Sequence, residues 1–248
     1  MTLDNNNHSI DSYNDRVVFD AIKQEYKEMA SWYDCFWSSY TRATLKAPLD
    51  LVSDELGAGG TLVDVACGTG EFLNRFYDES HLGDSMKCKL IGIEPSPEMM
   101  KQASKKLESK RSNCDIELKI SPAEYLPLSD SYADCVVSTN AFHFFRHKKQ
   151  ALKEMKRILK NDGKVIITDW CNDYFVVKLY HFMERLRWNW RFKDRYPGPL
   201  TKDELYGLIQ SAGFESIVIS AYRVRVFSIC LWGMQTITAI KKSDNTTL

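Results

Sequence analysis

Apolar and polar positions follow the alternation of a strand-and-helix fold between residues 60 and 170. Runs rich in valine and isoleucine predict strands over residues 61–66, 89–93, 134–138 and 164–168. Continuous apolar runs are typical of parallel strands that are covered on both faces. In residues 116–120 apolar and charged side chains alternate, which predicts a half-exposed strand at a sheet edge.

Apolar residues recur at helical spacing between these strands. Ser96 followed by Pro97 predicts a helix start, because serine caps exposed N–H groups and proline fits the first turn. That helix covers residues 98–110, and further helices are predicted over residues 151–159 and 201–212. Strands that alternate with helices predict an α/β fold with helices on both faces of the sheet.

The region before the first strand is predicted to be a helical lid over residues 15–56. Residues 1–14 are polar and rich in asparagine, which predicts disorder, and residues 15–30 have the apolar spacing of an amphipathic helix. Residues 32–40 contain five aromatic side chains. Two interpretations stay open for this aromatic segment, since it could be a hydrophobic plug or a lid over bound ligands.

The pattern changes after the fifth strand. Residues 171–200 contain eight aromatic residues and six Lys/Arg, which predicts an inserted helical cap. A stripe of four apolar residues is expected to pack onto the body of the protein; its members are Leu179, Met183, Leu186 and Trp190. The basic residues are interpreted as a solvated face, with binding of single-stranded nucleic acid as the alternative. Residues 217–226 and 236–241 predict a C-terminal hairpin.

The composition of the chain indicates which partners and which cellular compartment to expect. Lys plus Arg and Asp plus Glu balance at 33 each, so no overall field directs the chain to nucleic acid or to an anionic surface. The seven cysteines form no Cys-x-x-Cys pair, which favours a reducing compartment. No signal-peptide pattern and no apolar run of about 18 residues occurs. We therefore predict a cytoplasmic protein with no membrane partner and with nucleic acid disfavoured.

Residues 62–72 combine a short apolar strand, a glycine pair and the start of a helix. Gly68 and Gly70 allow a sharp turn and close approach of a ligand, while a helix N-terminus favours an anionic group. Leu73 stands where the dinucleotide fingerprint needs a third small residue, so NAD is not expected. The next apolar run ends in Glu94, at the position where an acidic residue accepts hydrogen bonds from ribose hydroxyls.

These segments resemble the class I S-adenosylmethionine-dependent methyltransferases, in their small-molecule, type 11-like branch. The glycine segment reads Val-Asp-Val-Ala-Cys-Gly-Thr-Gly, and the second strand is followed by Glu-Pro-Ser-Pro-Glu-Met. Similar segments follow at residues 121–127, 140–143, 157–163 and 212–214. The resemblance implies one domain with a Rossmann-like, seven-stranded, mostly parallel sheet and an antiparallel C-terminal hairpin. Its expected parts are the lid, a core over 57–170, the cap over 171–200 and a C-terminal helix and hairpin over 201–248.

The resemblance also implies the cofactor, S-adenosylmethionine, and the residues that hold it. Asp64 is expected near the methionyl ammonium, Glu94 at the ribose, Met99 against the adenine and Asn140 at the methionyl end. The full set of expected cofactor-binding residues is Tyr33, Asp64, Ala66, Cys67, Gly68, Gly70, Glu94, Pro95, Met99, Ala123, Glu124 and Asn140.

His143 is the candidate catalytic residue, because it follows the fourth strand at the end of the sheet where α/β folds bind their ligands. It is either a base that takes a proton from the acceptor or a structural histidine. Four aromatic residues are expected to bind the acceptor, namely Trp37, Tyr40, Trp170 and Tyr174. No ligand spacing for a metal occurs, so no metal is expected.

Three functions remain open from the sequence. The first is transfer of a methyl group to nitrogen or oxygen of a small, partly aromatic or apolar metabolite, mainly by positioning. The second is an RNA or protein methyltransferase that uses the basic cap. The third is a non-catalytic S-adenosylmethionine-binding protein. The expected assembly is a monomer or a homodimer.

Overall fold

The computed structural model describes residues 29–56, 59–79, 88–112, 114–188, 197–226 and 230–243. Its sheet has seven strands in the order β3-β2-β1-β4-β5-β7-β6. The strands are β1 (Thr61–Val65), β2 (Lys89–Glu94), β3 (Asp115–Ile120), β4 (Ala133–Thr139), β5 (Leu159–Trp170), β6 (Glu215–Val226) and β7 (Cys230–Ile240). Strands β1 to β5 pair in parallel, and β7 pairs antiparallel with both β5 and β6.

Helices cover both faces of this sheet. They are α1 (Tyr33–Glu55), α2 (Glu71–Glu79), α3 (Pro97–Leu107), α4 (Lys148–Ile158), α5 (Phe175–Trp188) and α6 (Lys202–Ser211), with 3₁₀ turns at Glu108–Lys110 and Phe142–Phe144. The Ser96 hydroxyl accepts a hydrogen bond from Met99 N at 3.3 Å, so the predicted cap of α3 is confirmed. Thr201 caps α6 through a reciprocal pair of hydrogen bonds with Glu204.

The alternation of side chains along the strands divides the core between the two faces. Leu62 and Ile166 pack with residues of α1, α2 and α3 on one face, whereas Val63 and Val165 pack with α4 and α6 on the other. Because parallel strands need cover on both faces, the continuous apolar runs of the sequence correspond to strands buried between these helical layers. The predicted Rossmann-like fold, with β3 at an edge and an antiparallel hairpin at the C-terminus, is confirmed.

The N-terminal region differs from a simple lid. Its aromatic segment forms the first turns of α1, a single helix that runs on to Glu55. Leu45, Leu49 and Val52, farther along α1, are buried in the core beside β1 and α2. The second half of α1 is therefore part of the folded body. Residues 1–14 and the predicted helix over 15–30, apart from its last two residues, lie outside the described residues.

For two of its four residues, the prediction that the apolar stripe of the cap packs onto the body was wrong. Leu179 and Met183 lie on α5 with 44% and 59% of their surface exposed, while among the described side chains of this helix Val177 is the one that is fully buried. Helical spacing reveals that two residues share a face, but it does not reveal which face meets the protein. The side chain of Leu186 and the whole of Trp190 lie outside what the structure describes.

In the part of the chain that the structure describes, no helix is both long and apolar enough to cross a membrane.

Candidate active site

The carboxyl ends of β1, β2, β4 and β5 meet at one end of the sheet and form the candidate site. The loop after β1 has an unusual backbone, because Ala66, Gly68 and Gly70 all have positive φ, at 62°, 54° and 73°. Ala66 N and Cys67 N both donate to the Ile93 carbonyl, at 2.7 and 3.1 Å. A Cβ on Gly68 would meet no atom within 4 Å, so there is room for a ligand against this part of the backbone. Left-handed backbone at a non-glycine residue is typical of functional sites.

Glu94 connects this loop to the next one. Its carboxylate accepts hydrogen bonds from Gly68 N at 3.0 Å and from Ser96 N at 2.9 Å. The side chain is 7% exposed. Since each carboxylate oxygen accepts more than one hydrogen bond, Glu94 can hold both loops and still accept from a ligand.

Asp64 is a buried carboxyl at the end of β1. It is 1% exposed, and within the described structure neither of its oxygens has a hydrogen-bond partner. Burial, and secondarily the charge of Glu94, raise the pKa of Asp64 from 3.8 to about 8. A buried carboxyl without donors is costly to the fold, and a cationic group beside it would remove that cost.

We predict that Asp64→Asn stabilises the ligand-free protein at neutral and alkaline pH. The pKa of Asp64 is higher in the folded protein than in the unfolded chain. The contribution of this carboxyl to the free energy of unfolding is therefore complete below about pH 4 and is lost as the pH rises to about 8. The loss is at most ~1.4 kcal/mol for each pH unit in that window. Melting temperatures of both proteins across this range check the prediction; a variant that is less stable than wild type at pH 8 would contradict it.

The first turns of α1 lie over the glycine loop. Lys106 Nζ forms ion pairs with Asp34 and Glu71, both at 2.7 Å, and the Thr69 hydroxyl donates to Asp34 at 2.5 Å. Tyr33 is partly buried next to Asp34, and burial together with the charges of Asp34 and Glu94 raises its pKa to about 12. Tyr33 is therefore a neutral donor close to Glu94.

His143 and Asp169 form a buried pair at the ends of β4 and β5. The His143 Nδ1 atom lies 2.5 Å from Asp169 Oδ1, and Asp169 Oδ2 accepts from His143 N at 2.5 Å. Both residues are nearly inaccessible, at 1% and 3% exposed. An ionised Asp169 that accepts from Nδ1–H leaves Nε2 as the basic nitrogen of the ring. The partner of His143 Nδ1 is thus a carboxylate.

The side chain of Asn140 forms its hydrogen bonds with α1. Its Oδ1 accepts from the Tyr40 hydroxyl at 2.8 Å, and its Nδ2 donates to the Thr44 hydroxyl at 2.9 Å. Trp170 Nε1 also donates to the Tyr40 hydroxyl, at 2.5 Å. Both ends of the Asn140 amide are thus used inside the protein, which makes Asn140 a link between β4 and the lid helix.

Three of the four aromatic residues predicted to bind the acceptor come together. Trp37, Tyr40 and Trp170 pack with Tyr222 and Trp232 at the end of the β6–β7 hairpin, and we call these five residues the aromatic wall. The Trp170 ring stacks on the His143 ring, with centroids 4.3 Å apart.

Tyr174 lies elsewhere. Its ring lies against Gly233. Because successive residues of a strand face opposite sides of the sheet, Gly233 faces the side opposite to that of Trp232 and Met234, its neighbours along β7. The structure therefore places Tyr174 on the opposite face of the hairpin from the aromatic wall.

The remaining predicted cofactor residues lie around the loop after β2 and the segment after β3. Pro95 follows Glu94, Met99 is buried in the first turn of α3, and Ala123 is 6% exposed beyond β3. Glu124 accepts a hydrogen bond from His147 N at 3.3 Å, which connects this segment to the start of α4.

A depression of about 600 Å³ lies apart from this site, between β3 and the segment before β4. Its lining includes Tyr125, Glu154 and Arg157. Arg157 donates to Glu154 and to the carbonyls of Leu126 and Leu128, so these groups hold the fold together locally. We assign the candidate site to the strand ends, where a buried acid–base pair and an open glycine loop occur together.

Sequence reasoning missed Asp169, Asp34 and Lys106. The signal for Asp169 was present, because the apolar run of β5 ends in this acidic residue at the same sheet edge as His143. No local pattern connects Asp34 to Lys106, since 72 residues separate them and only the packing of α1 on α3 brings them together.

This chain is similar to known methyltransferases. A family sequence profile described as a methyltransferase domain matches residues 63–167. The ubiquinone/menaquinone biosynthesis C-methyltransferase UbiE of Citrifermentans bemidjiense is 30% identical over 129 residues, which cover 51% of this chain and 53% of that protein. The match therefore spans about half the length of that curated relative. An uncharacterized protein of Methanocaldococcus jannaschii is 27% identical over 200 residues, covering 81% of this chain and 82% of that protein.

A solved structure from Thermotoga maritima has the same fold. It is described as an S-adenosylmethionine-dependent methyltransferase, possibly a histamine N-methyltransferase, and it superposes with a TM-score of 0.65 at 24% identity. The superposition covers 88% of this chain and 98% of that one.

Proposed function

We propose that this chain, whose residues 63–167 form a methyltransferase domain of the class I S-adenosylmethionine-dependent superfamily, transfers a methyl group to a small, partly aromatic or apolar metabolite. The observation that carries the proposal is the His143–Asp169 pair, which lies at the same end of the sheet as the glycine loop and Glu94.

The residues at the strand ends fit S-adenosylmethionine. The buried Asp64 carboxyl lacks a partner among the described residues and suits the methionyl ammonium, while the space over Gly68 admits a ligand. Glu94 can accept hydrogen bonds from the ribose, and Tyr33 can donate from the lid helix. Pro95, Met99, Ala123 and Glu124 are assigned to the adenine side. A bound cofactor would supply a methyl group activated by its sulfonium, with the demethylated thioether as the leaving group when the acceptor attacks the methyl carbon in line.

The protein's part in catalysis is alignment, exclusion of water and removal of a proton. Alignment carries most of the rate in such a displacement. His143 takes the proton from the acceptor's hydroxyl or amine at Nε2, and Asp169 stabilises the imidazolium that forms. The aromatic wall, which stacks on His143 through Trp170, supplies an apolar surface for the acceptor.

The acceptor atom is assigned to nitrogen or oxygen, where a base has a proton to remove. A second candidate is carbon of an aromatic ring, which is favoured by the similarity to UbiE, a C-methyltransferase of ubiquinone and menaquinone biosynthesis. A base also serves that reaction, because an ionised phenol makes its ring carbons nucleophilic. The structure of the methylated product distinguishes these reactions.

The test is to incubate the protein with cofactor that carries a labelled methyl group and with an extract of its own host. We expect label in a small molecule, with undiminished labelling in the presence of a chelator. The matched control is His143→Gln, which should bind the cofactor but label little. Label mainly in RNA or protein would support the second sequence-based function, and cofactor binding without any labelled product would support the third.

A further inference from the structure

Helix α5 presents an apolar surface to solvent beside the candidate site. Five of its described apolar side chains lie together on one exposed side, namely Phe175 at 75%, Val176 at 37%, Leu179 at 44%, Phe182 at 58% and Met183 at 59%. At 3.6 residues per turn these side chains occupy about one third of the helix circumference. We call them the apolar arc.

The arc is one face of a helix whose other face is anchored. Val177 is fully buried on the side opposite the arc, and His181, also on that side, lies against Gly198. Tyr180 at the border of the arc packs edge-on against Trp170 and Trp232 of the aromatic wall. The contacts on the inner face of α5 therefore keep the apolar arc facing solvent. Through Tyr180, the helix that carries the arc also contacts the aromatic wall of the candidate site.

Basic residues lie beside the apolar arc. Lys178 is exposed at its edge, and Arg223 of β6 lies 5.3 Å over the ring of Tyr174, which immediately precedes α5. Arg225, also exposed, lies two residues farther along β6 on the same face as Arg223, and it pairs across the hairpin with Leu231, which is 47% exposed. These three exposed cations, all among the described residues, give the surface beside the arc a positive charge.

We propose that α5 docks this protein on an anionic lipid surface, with the apolar arc in the interfacial layer and the basic residues at the headgroups. An amphipathic helix with large apolar side chains and flanking Lys/Arg has the composition of an interfacial helix. Cationic side chains next to the apolar face of such a helix add electrostatic attraction to anionic lipids. The proposal revises the sequence-based expectation of no membrane partner.

Other occupants fit the arc less well. In a symmetric contact with a second copy the same surface meets itself, so the positive charges of Lys178, Arg223 and Arg225 from both copies would be brought into one interface, and like charges would oppose the contact. Single-stranded nucleic acid needs aromatic faces on which bases stack, whereas three of the five arc residues are not aromatic. A lipid surface accepts aliphatic and aromatic side chains alike.

The test is co-sedimentation of the full chain, without cofactor, with vesicles of phosphatidylcholine alone or mixed with phosphatidylglycerol. We expect binding to the mixed vesicles that weakens at high salt. The double variant Phe175→Ser/Phe182→Ser should lose at least about fivefold in vesicle affinity, and Lys178→Glu/Arg225→Glu should lose the preference for phosphatidylglycerol. Because all four side chains are exposed, the melting temperature should stay unchanged.

The matched control is Ile120→Ser, which removes a side chain that is 59% exposed on β3, at the opposite edge of the sheet. It should bind vesicles like wild type. The proposal is overturned if wild type binds neither vesicle, if it binds both equally, or if the control loses as much as the double variant. It is also overturned if sedimentation velocity shows a dimer that only the double variant dissociates, or if the double variant loses RNA binding while vesicle binding is unchanged.

Discussion

Replacing His143 by glutamine should lower kcat by at least about a hundredfold, because a positioned base contributes roughly 10²–10⁴-fold to proton removal. Glutamine is the informative substitution, since it removes the basic ring nitrogen but keeps an amide N–H that can still donate to Asp169. The Asp169 carboxylate also keeps its hydrogen bonds from His143 N and Trp170 N, which the variant retains. Cofactor affinity and melting temperature should therefore remain near the wild-type values.

The companion variant is Asp169→Asn. An amide in this place cannot stabilise an imidazolium and can favour the wrong tautomer of the ring, so kcat should again fall while the cofactor still binds. Steady-state kinetics with calorimetry on both variants check the pair. The activities of the two single variants and of the double variant should be similar, because residues that act as a unit are not additive.

The comparison of rate with stability adds a second readout. A glutamine variant that melts early, or one whose rate loss matches its loss of cofactor affinity, would show that His143 is structural. Alignment alone would then account for catalysis.

Replacing Glu94 by alanine should weaken the binding of S-adenosylmethionine, and of its demethylated product, more than tenfold. Loss of hydrogen bonds to a charged acceptor costs ~1.5–3 kcal/mol. The structure adds a second contribution, because the carboxylate also holds Gly68 N and Ser96 N. Glu94→Gln should lose less affinity, since it keeps one acceptor oxygen. Calorimetry measures the affinities, and NAD should bind to none of these proteins.

Ser96→Ala is the control that separates ligand contacts from loop stability. It removes the cap of α3, which costs about 1 kcal/mol of stability, but no contact to the ribose is assigned to the serine. Its cofactor affinity should stay within about twofold of wild type despite a lower melting temperature. If Glu94→Ala also stays within twofold, the ribose assignment is wrong.

Local patterns in the sequence were sufficient to predict most strands of the sheet, the start of α3 and the glycine loop. The runs rich in valine and isoleucine predicted β1, β2, β4 and the centre of β5, and alternation placed β3 at an edge. The Ser96-Pro97 pair predicted the start of α3, and the glycine pair predicted the loop after β1. These features depend on backbone conformation and on burial of neighbouring residues, which nearby side chains decide.

Tertiary packing decided the contacts between distant residues. His143 and Asp169 are 26 positions apart and meet because β4 and β5 are adjacent, in a register that apolar spacing does not specify. Likewise, the spacing of α5 revealed an apolar face but left open whether that face meets the protein. Val177 and Tyr180 settle its rotation by packing against the body, and the same contacts leave Leu179 and Met183 in solvent, because a rigid helix that buries one face must expose the opposite one.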